Sequence, residues 1–175
     1  VLINVSLVLR SAASGGHLKV VELLLNVDKN GCGGIVNVNA VNNTGGTALC
    51  YACQSGHLEV VLALLKSNNI QINQPNKLGC TPLYMACQNR YLEVVHTLLQ
   101  SNNIQVNQPT KKGFTPLHLV CSNSYLEIVH ALLQSNNIQV NQPTKTGTTP
   151  LLLACQQGHL EVVRALLKVN EIQIN

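Results

Sequence analysis

The stretch SNNIQVNQP at residues 101–109 stands again unchanged at 135–143, and at 67–75 with a single Val-to-Ile change. Each copy begins 34 residues after the last. A catalytic loop is needed once, whereas a phrase written three times at constant spacing belongs to a repeated structural unit. A period in the range of about 20–50 residues indicates a solenoid, in which each unit buries its apolar face against its neighbours.

Working outward from that phrase, the units begin at Thr47, Thr81, Thr115 and Thr149. They open with TALCYACQSGHLEVVLALL, TPLYMACQNRYLEVVHTLL, TPLHLVCSNSYLEIVHALL and TPLLLACQQGHLEVVRALL, and LVLRSAASGGHLKVVELLL fits the same frame from Leu7. The units are therefore about 7–46, 47–80, 81–114, 115–148 and 149–175 of one array, residues 1–175. Thr followed by Pro is a helix start, since Thr caps and Pro suits the first turn. Leu83, Ala86 and Cys87 mark the buried stripe of this short first helix. A second helix follows from residue 91, with Leu92, Val95, Leu98 and Leu99 on one face. Glu93 lies in its first turn, where it complements the helix dipole, and Glu59, Glu127 and Glu161 recur in the same place. After the second helix, Asn102 and Asn103 tolerate the left-handed conformation of a helix end. Gln-Pro and TKKGF then turn the chain outward and back, so the phrase connects stacked units.

Composition agrees with small, tightly packed helices. Hydrophobic residues make up 46% and charged residues 10%, with one Phe and no Trp, so Leu, Val, Ile, Ala and Cys must form the core. A net charge of +4 is too mild to announce nucleic acid or an anionic membrane. Lys-bearing loops without aromatic stacking partners argue further against nucleic acid, and no run is long and apolar enough to span a membrane. Seven cysteines, an odd number, fit thiols in a reducing compartment better than a secreted disulfide framework. The expected location is intracellular: cytoplasm or nucleus, or a host cell if the chain is an effector.

TPLHLVC with LEIVHALL, and TPLLLACQQGHLEVVRALL, resemble the ankyrin repeat. The resemblance implies an all-α solenoid of stacked antiparallel helix pairs, β-hairpin loops projecting from it, and a concave surface of hairpins and first helices. Each regular unit is one residue longer than the family's usual repeat of about 33. The family's His survives only as His118, with Arg10, Cys50, Tyr84 and Leu152 in its place elsewhere, which puts the Thr-to-His bonding of those units in doubt. Arg90 and Ser124 replace the Gly found at Gly16, Gly56 and Gly158, and the neighbouring Asn89 and Asn123 are expected to absorb the unusual backbone angle. A longer, mobile loop is expected around DKNGCGG in the first unit.

Constellations that could carry chemistry have plainer readings. Cys53, Cys87, Cys121 and Cys155 recur at 34 residues where the family has a small buried Ala, too far apart for disulfides or shared metal. They are expected to be buried hydrophobes. Cys50, Cys53 and His57 have metal-like spacing but no second pair. Cys121 near His118 lacks a unique orienting acid, because Glu127 recurs in every regular unit. No cofactor, metal or catalytic residue is expected, and the chain is read as not an enzyme. His96 and His130 are expected to be solvated on the second helices.

The resemblance implies a module that binds another protein through hairpin tips and concave face. Candidate contacts are Lys77, Leu78 and Cys80; Lys111, Lys112 and Phe114; Lys145, Thr146 and Thr148; and, at the ends of first helices, Gln88, Asn89, Ser122 and Asn123. A lysine row with Phe114 beside it suggests a partner with an acidic, partly apolar surface. The alternative reading is the targeting arm of a larger multidomain enzyme or of a bacterial or viral effector. The chain is expected to be a fragment of a longer protein, able to self-associate through uncapped ends.

Overall fold

In a computed structural model, residues 5–29, 36–169 and 172 are described. The loop expected around residues 30–35 lies outside them. Five helix pairs follow in order. They are α1 (Val5–Ser14) with α2 (Leu18–Lys29), α3 (Ala48–Ser55) with α4 (Leu58–Leu65), and α5 (Pro82–Gln88) with α6 (Leu92–Leu99). The last two pairs are α7 (Pro116–Ser122) with α8 (Leu126–Leu133), and α9 (Pro150–Gln156) with α10 (Leu160–Leu167). Helices α1, α3, α5, α7 and α9 stack in one row, and α2, α4, α6, α8 and α10 in a second. Helices of seven or eight residues are too short to persist alone, so stacking supports them.

Every first helix from α3 onward starts at its threonine. Thr47, Thr81, Thr115 and Thr149 accept from the backbone N–H of Cys50, Tyr84, His118 and Leu152 at 3.1, 3.1, 3.4 and 3.2 Å. Pro82, Pro116 and Pro150 open the first turn. The apolar stripes then close a continuous core in which Leu49, Leu83, Ala52, Ala86, Val61, Val95, Val129 and Leu132 are fully buried. Cys53, Cys87 and Cys121 are also fully buried, whereas Cys155, expected among them, is exposed. It lies on α9, in the last described pair, and no described helix covers it.

The recurring phrase has a specific structural task. The Asn107 Nδ2 donates to the carbonyl of Asn137 at 2.5 Å, and the Asn107 Oδ1 accepts from the N–H of Gln139 at 2.9 Å. Asn73 makes the same two bonds to Asn103 and Gln105, at 2.7 and 2.9 Å. Asn39 makes them to Asn69 and Gln71, at 2.6 and 2.8 Å. One carboxamide thus clips each connector to the next, and each clip uses both its donor and its acceptor. Sequence reading assigned the phrase to a connector but not this bond.

At the turn between helices, Gly16, Gly56 and Gly158 take φ of 72°, 75° and 71°. Asn89 and Asn123 do not absorb this angle in the middle pairs: their φ values are −99° and −109°, while Arg90 and Ser124 themselves stand at 62° and 59°. The reason is register, since the left-handed position is set by the residue just before the second helix's leading ring. Arg90 then lays its guanidinium over the Tyr125 ring at 4.9 Å, one unit further on. At a helix end, Asn103 takes the expected left-handed conformation at 64°. Asn102 does not.

Candidate protein-binding face

The projecting loops are tight turns built around one polar side chain each. In the first and second units Asn42 and Asn76 fold the turn: the Asn42 Oδ1 accepts from Thr44 and Gly46 N–H, both at 3.0 Å, and the Asn76 Oδ1 from Leu78 and Cys80 N–H at 2.9 and 3.0 Å. Threonine takes over later, the Thr110 Oγ1 accepting from Phe114 at 3.2 Å and the Thr144 Oγ1 from Thr148 at 3.1 Å. Short polar side chains that bond the backbone two and four residues on are turn formers. Two backbone bonds close each loop: the N–H of Asn42, Asn76, Thr110 and Thr144 donates to the carbonyl of Gly46, Cys80, Phe114 and Thr148, and the carbonyl of each accepts from the N–H of Gly45, Gly79, Gly113 and Gly147. The expected β-hairpins therefore contain no regular strand among the described residues.

Successive tips are also tied to one another. The Lys77 N–H donates to the Thr44 carbonyl and the Lys111 N–H to the Leu78 carbonyl, both at 2.9 Å. Gly45 and Gly79 allow that approach: both take φ above 80° or at it, and a Cβ on either would lie within 2.7 Å of the next tip's backbone nitrogen. The first three tips therefore form a connected edge, and the fourth lies close behind, a Cβ on Gly113 falling 2.8 Å from the Lys145 backbone nitrogen.

On that edge Lys77, Lys111, Lys112 and Lys145 are exposed, and Leu78 is 70% exposed. Lys77, Lys111 and Lys145 occupy one register position, giving one lysine per unit. Cys80 is corrected from a surface contact to a buried residue, 8% exposed, because its turn points it inward. Phe114 is half-buried and meets His118 edge-on, with ring centroids 5.8 Å apart and planes at 67°. The Thr146 Oγ1 lies 3.0 Å from that of Thr144 and 3.3 Å from that of Thr148. Gln88, Asn89, Ser122 and Asn123 lie at the opposite ends of α5 and α7, about 10 Å from the tips along the helix axis. Two of them serve local structure: Asn89 and Asn123 donate from Nδ2 to the Met85 and Leu119 carbonyls at 2.9 and 2.8 Å. The Ser122 carbonyl lies 3.0 Å from the His159 Nε2.

A second column escaped sequence reading. Tyr51 packs under its own tip, with the Asn42 Nδ2 donating to its hydroxyl at 2.7 Å. The same frame position carries Met85, Leu119 and Leu153, all half-buried. The signal was present as an apolar residue four places after each threonine.

The remaining polar groups are absorbed by structure. His118 is fully buried, its Nδ1 2.8 Å from the Thr115 Oγ1 and its Nε2 3.0 Å from the Thr148 carbonyl. Burial holds its pKa below the ordinary value. The reciprocal Thr-to-His cap occurs here, but the link onward to the loop leading into the next unit also occurs without His: the Arg10 guanidinium donates to the Ala40 carbonyl at 3.2 Å, and the Cys50 thiol to that of Gln74 at 3.6 Å. Burial raises the pKa of Cys50 and Cys53 and pushes Cys121 up to about 12, so these thiols are protonated and weakly nucleophilic at neutral pH. The His57 Nε2 lies 3.0 Å from the Ser14 carbonyl. Among the described residues, no group of three or more His, Cys, Asp or Glu is placed to hold a metal ion. His96 and His130 are exposed on α6 and α8. An open groove of 810 Å³ runs between the connectors of the second and third units, and nothing in it groups reactive side chains. No described helix is long and apolar enough to cross a membrane.

A family model described as ankyrin repeats (3 copies) matches residues 8–110 and again 104–175. No curated protein matches the sequence. With helix pairs stacked through the matched span and threonine-capped first helices from α3 onward, the chain belongs to the ankyrin-repeat family, whose members are generally protein–protein interaction modules and typically not catalytic.

Proposed function

We propose that this array is a non-catalytic module that binds a protein partner with an acidic, partly apolar surface through its turn tips and the concave side of its first helices. The observation that carries this reading is the lysine column Lys77, Lys111 and Lys145, exposed at one register position, with the Lys77 and Lys111 tips each tied by a backbone bond to the tip before. Side chains on a connected edge lose less freedom on binding than side chains on independent loops. Lys112 adds a charge and Leu78 an exposed apolar group on the same edge. Phe114 supports the edge from below and offers its remaining surface to a partner.

Affinity capture followed by mass spectrometry identifies candidate partners, and purified variants test the face. Reversing Lys111 and Lys112 to Glu slows association and reduces its salt dependence, whereas Phe114→Ala speeds dissociation. His96→Ala and His130→Ala, on the second helices, serve as controls. If the controls abolish binding while folded Lys and Phe114 variants bind normally, this face is not the binding face.

A further inference from the structure

We infer that the outer face of the last described pair, α9–α10, receives the outer face of the first, α1–α2, of a second copy of this chain, head to tail. Burial along the repeating frame assigns each position to one half of a junction. Val162 in the last pair is buried, as are Val60, Val94 and Ile128, so the preceding unit is enough to cover this position; Val20, which has no such cover, is 42% exposed. The adjacent position behaves in the opposite way. Val21 is buried in the first pair, like Val61, Val95 and Val129, whereas Val163 in the last is only half-buried. Val20 thus lies on the half that faces back and Val163 on the half that faces forward. Leu23, 65% exposed where Ala165 is buried, joins the first half; Leu160, 57% exposed, and Cys155 join the second. The two outer faces are therefore complementary halves of the junction that the array repeats between its own units.

A ring and its seat identify the occupant more closely. A Cβ on Gly16 would fall 2.6 Å from the His57 ring and one on Gly56 2.5 Å from the Tyr91 ring, so the ring leading each of these second helices lies on the turn of the unit before. The His57 and His159 Nε2 atoms also lie 3.0 Å from the carbonyls of Ser14 and Ser122 in that preceding unit. At the outer turn, Gly158 keeps the same left-handed backbone with no described atom within 4 Å of a Cβ, and His17, the ring leading α2, is exposed. Stacking one copy on another sets His17 over Gly158, with the Gln156 carbonyl in the place of Ser14 and Ser122. Charge favours this occupant over another apolar surface. The position held by Glu59, Glu93, Glu127 and Glu161 is Lys19 in α2, and the position of Arg164 is Glu22. Across the joint Glu161 is therefore followed by Lys19 and Arg164 by Glu22, opposite signs at both places, whereas inside the array Glu follows Glu. All four groups are exposed, and Glu161 and Arg164 also pair with each other at 3.2 Å. A head-to-tail joint leaves one free half at each end of the assembly, so association continues beyond two copies or closes into a ring.

Sedimentation of the 175-residue chain from about 1 to 200 μM tests this, because association follows mass action. The expected result is an average mass that rises with concentration past that of a dimer, while labelling of Cys155 slows over the same range. Leu23→Glu blocks the back-facing half and Leu160→Glu the forward-facing half; both positions are exposed, and circular dichroism checks each fold. Each variant alone should stay monomeric, and an equimolar mixture should form a one-to-one dimer, since one intact half of each kind remains. Lys111→Glu with Lys112→Glu, on a tip within the array, should associate like the wild type. A chain that stays monomeric at every concentration overturns the inference. So does a single variant that still dimerises, which indicates like faces meeting, or a mixture that stays monomeric. Unchanged Cys155 labelling in the associated state, or loss of association in the lysine variant, places the joint elsewhere and overturns it as well.

Discussion

The carboxamide of Asn107 reaches out of its own unit and donates to the carbonyl of Asn137, one repeat later. Because the same side chain accepts from Gln139, Asn107→Ala removes two bonds at one junction. The expected loss is about 1–2 kcal/mol, limited by the solvent exposure of the site. Urea unfolding of the variant checks this. Asn107→Asp should cost more at neutral pH than in acid, since a carboxylate faces the Asn137 carbonyl without a proton to donate.

His118 should give the array a pH dependence. Its folded pKa lies below the ordinary value of about 6.5, so the unfolded chain takes up the proton first. Its contribution is complete above about pH 6.5 and is lost as pH falls below that value towards the folded pKa. Urea midpoints of wild type should therefore drop between pH 7.5 and 5 more steeply than those of His118→Gln. Equal slopes would contradict the buried, neutral assignment.

The two strained turns differ in what substitution should do. Ser124 holds φ of 59° with no ring contact of its own to offset it, so Ser124→Gly should stabilise by about 1 kcal/mol. Arg90→Gly relieves similar strain but gives up the stacking on Tyr125, worth about 0.5–1 kcal/mol at an exposed site, and should be close to neutral. Thermal melts of both variants decide the order.

Thiol accessibility should divide the cysteine column. A thiol reagent followed by peptide mapping should modify Cys155 in the folded protein and leave Cys53, Cys87 and Cys121 untouched until denaturant is added. Replacing all four by Ala should preserve folding and partner binding, at a cost of about 1 kcal/mol or less per buried site.

Much of the architecture was legible because it depends on local chemistry. Threonine before proline marked the starts of α5, α7 and α9, and the spacing of Leu92, Val95 and Leu98 marked the inner face of α6. What escaped depends on residues 30 or more apart, as with Asn107 and Asn137, or on the path of a turn, as with Cys80. Composition described Asn89 as the better candidate for a left-handed angle than Arg90, yet the angle belongs to a position in the turn and the arginine occupies it. On the candidate face, sequence placed the lysines at tips and Gln88 and Asn123 at the ends of first helices, but counted both as contacts although the structure sets those ends away from the tips.

The repeated asparagine clip also makes the middle units interchangeable. Each junction presents the next with the same carboxamide, carbonyl and N–H, so a 34-residue block can be removed or duplicated within residues 67–143 and every donor still meets an acceptor. A block one residue shorter or longer leaves a carboxamide facing the wrong backbone group. Array length can thus vary in whole-unit steps, each adding or removing one tip, without redesign of the joints.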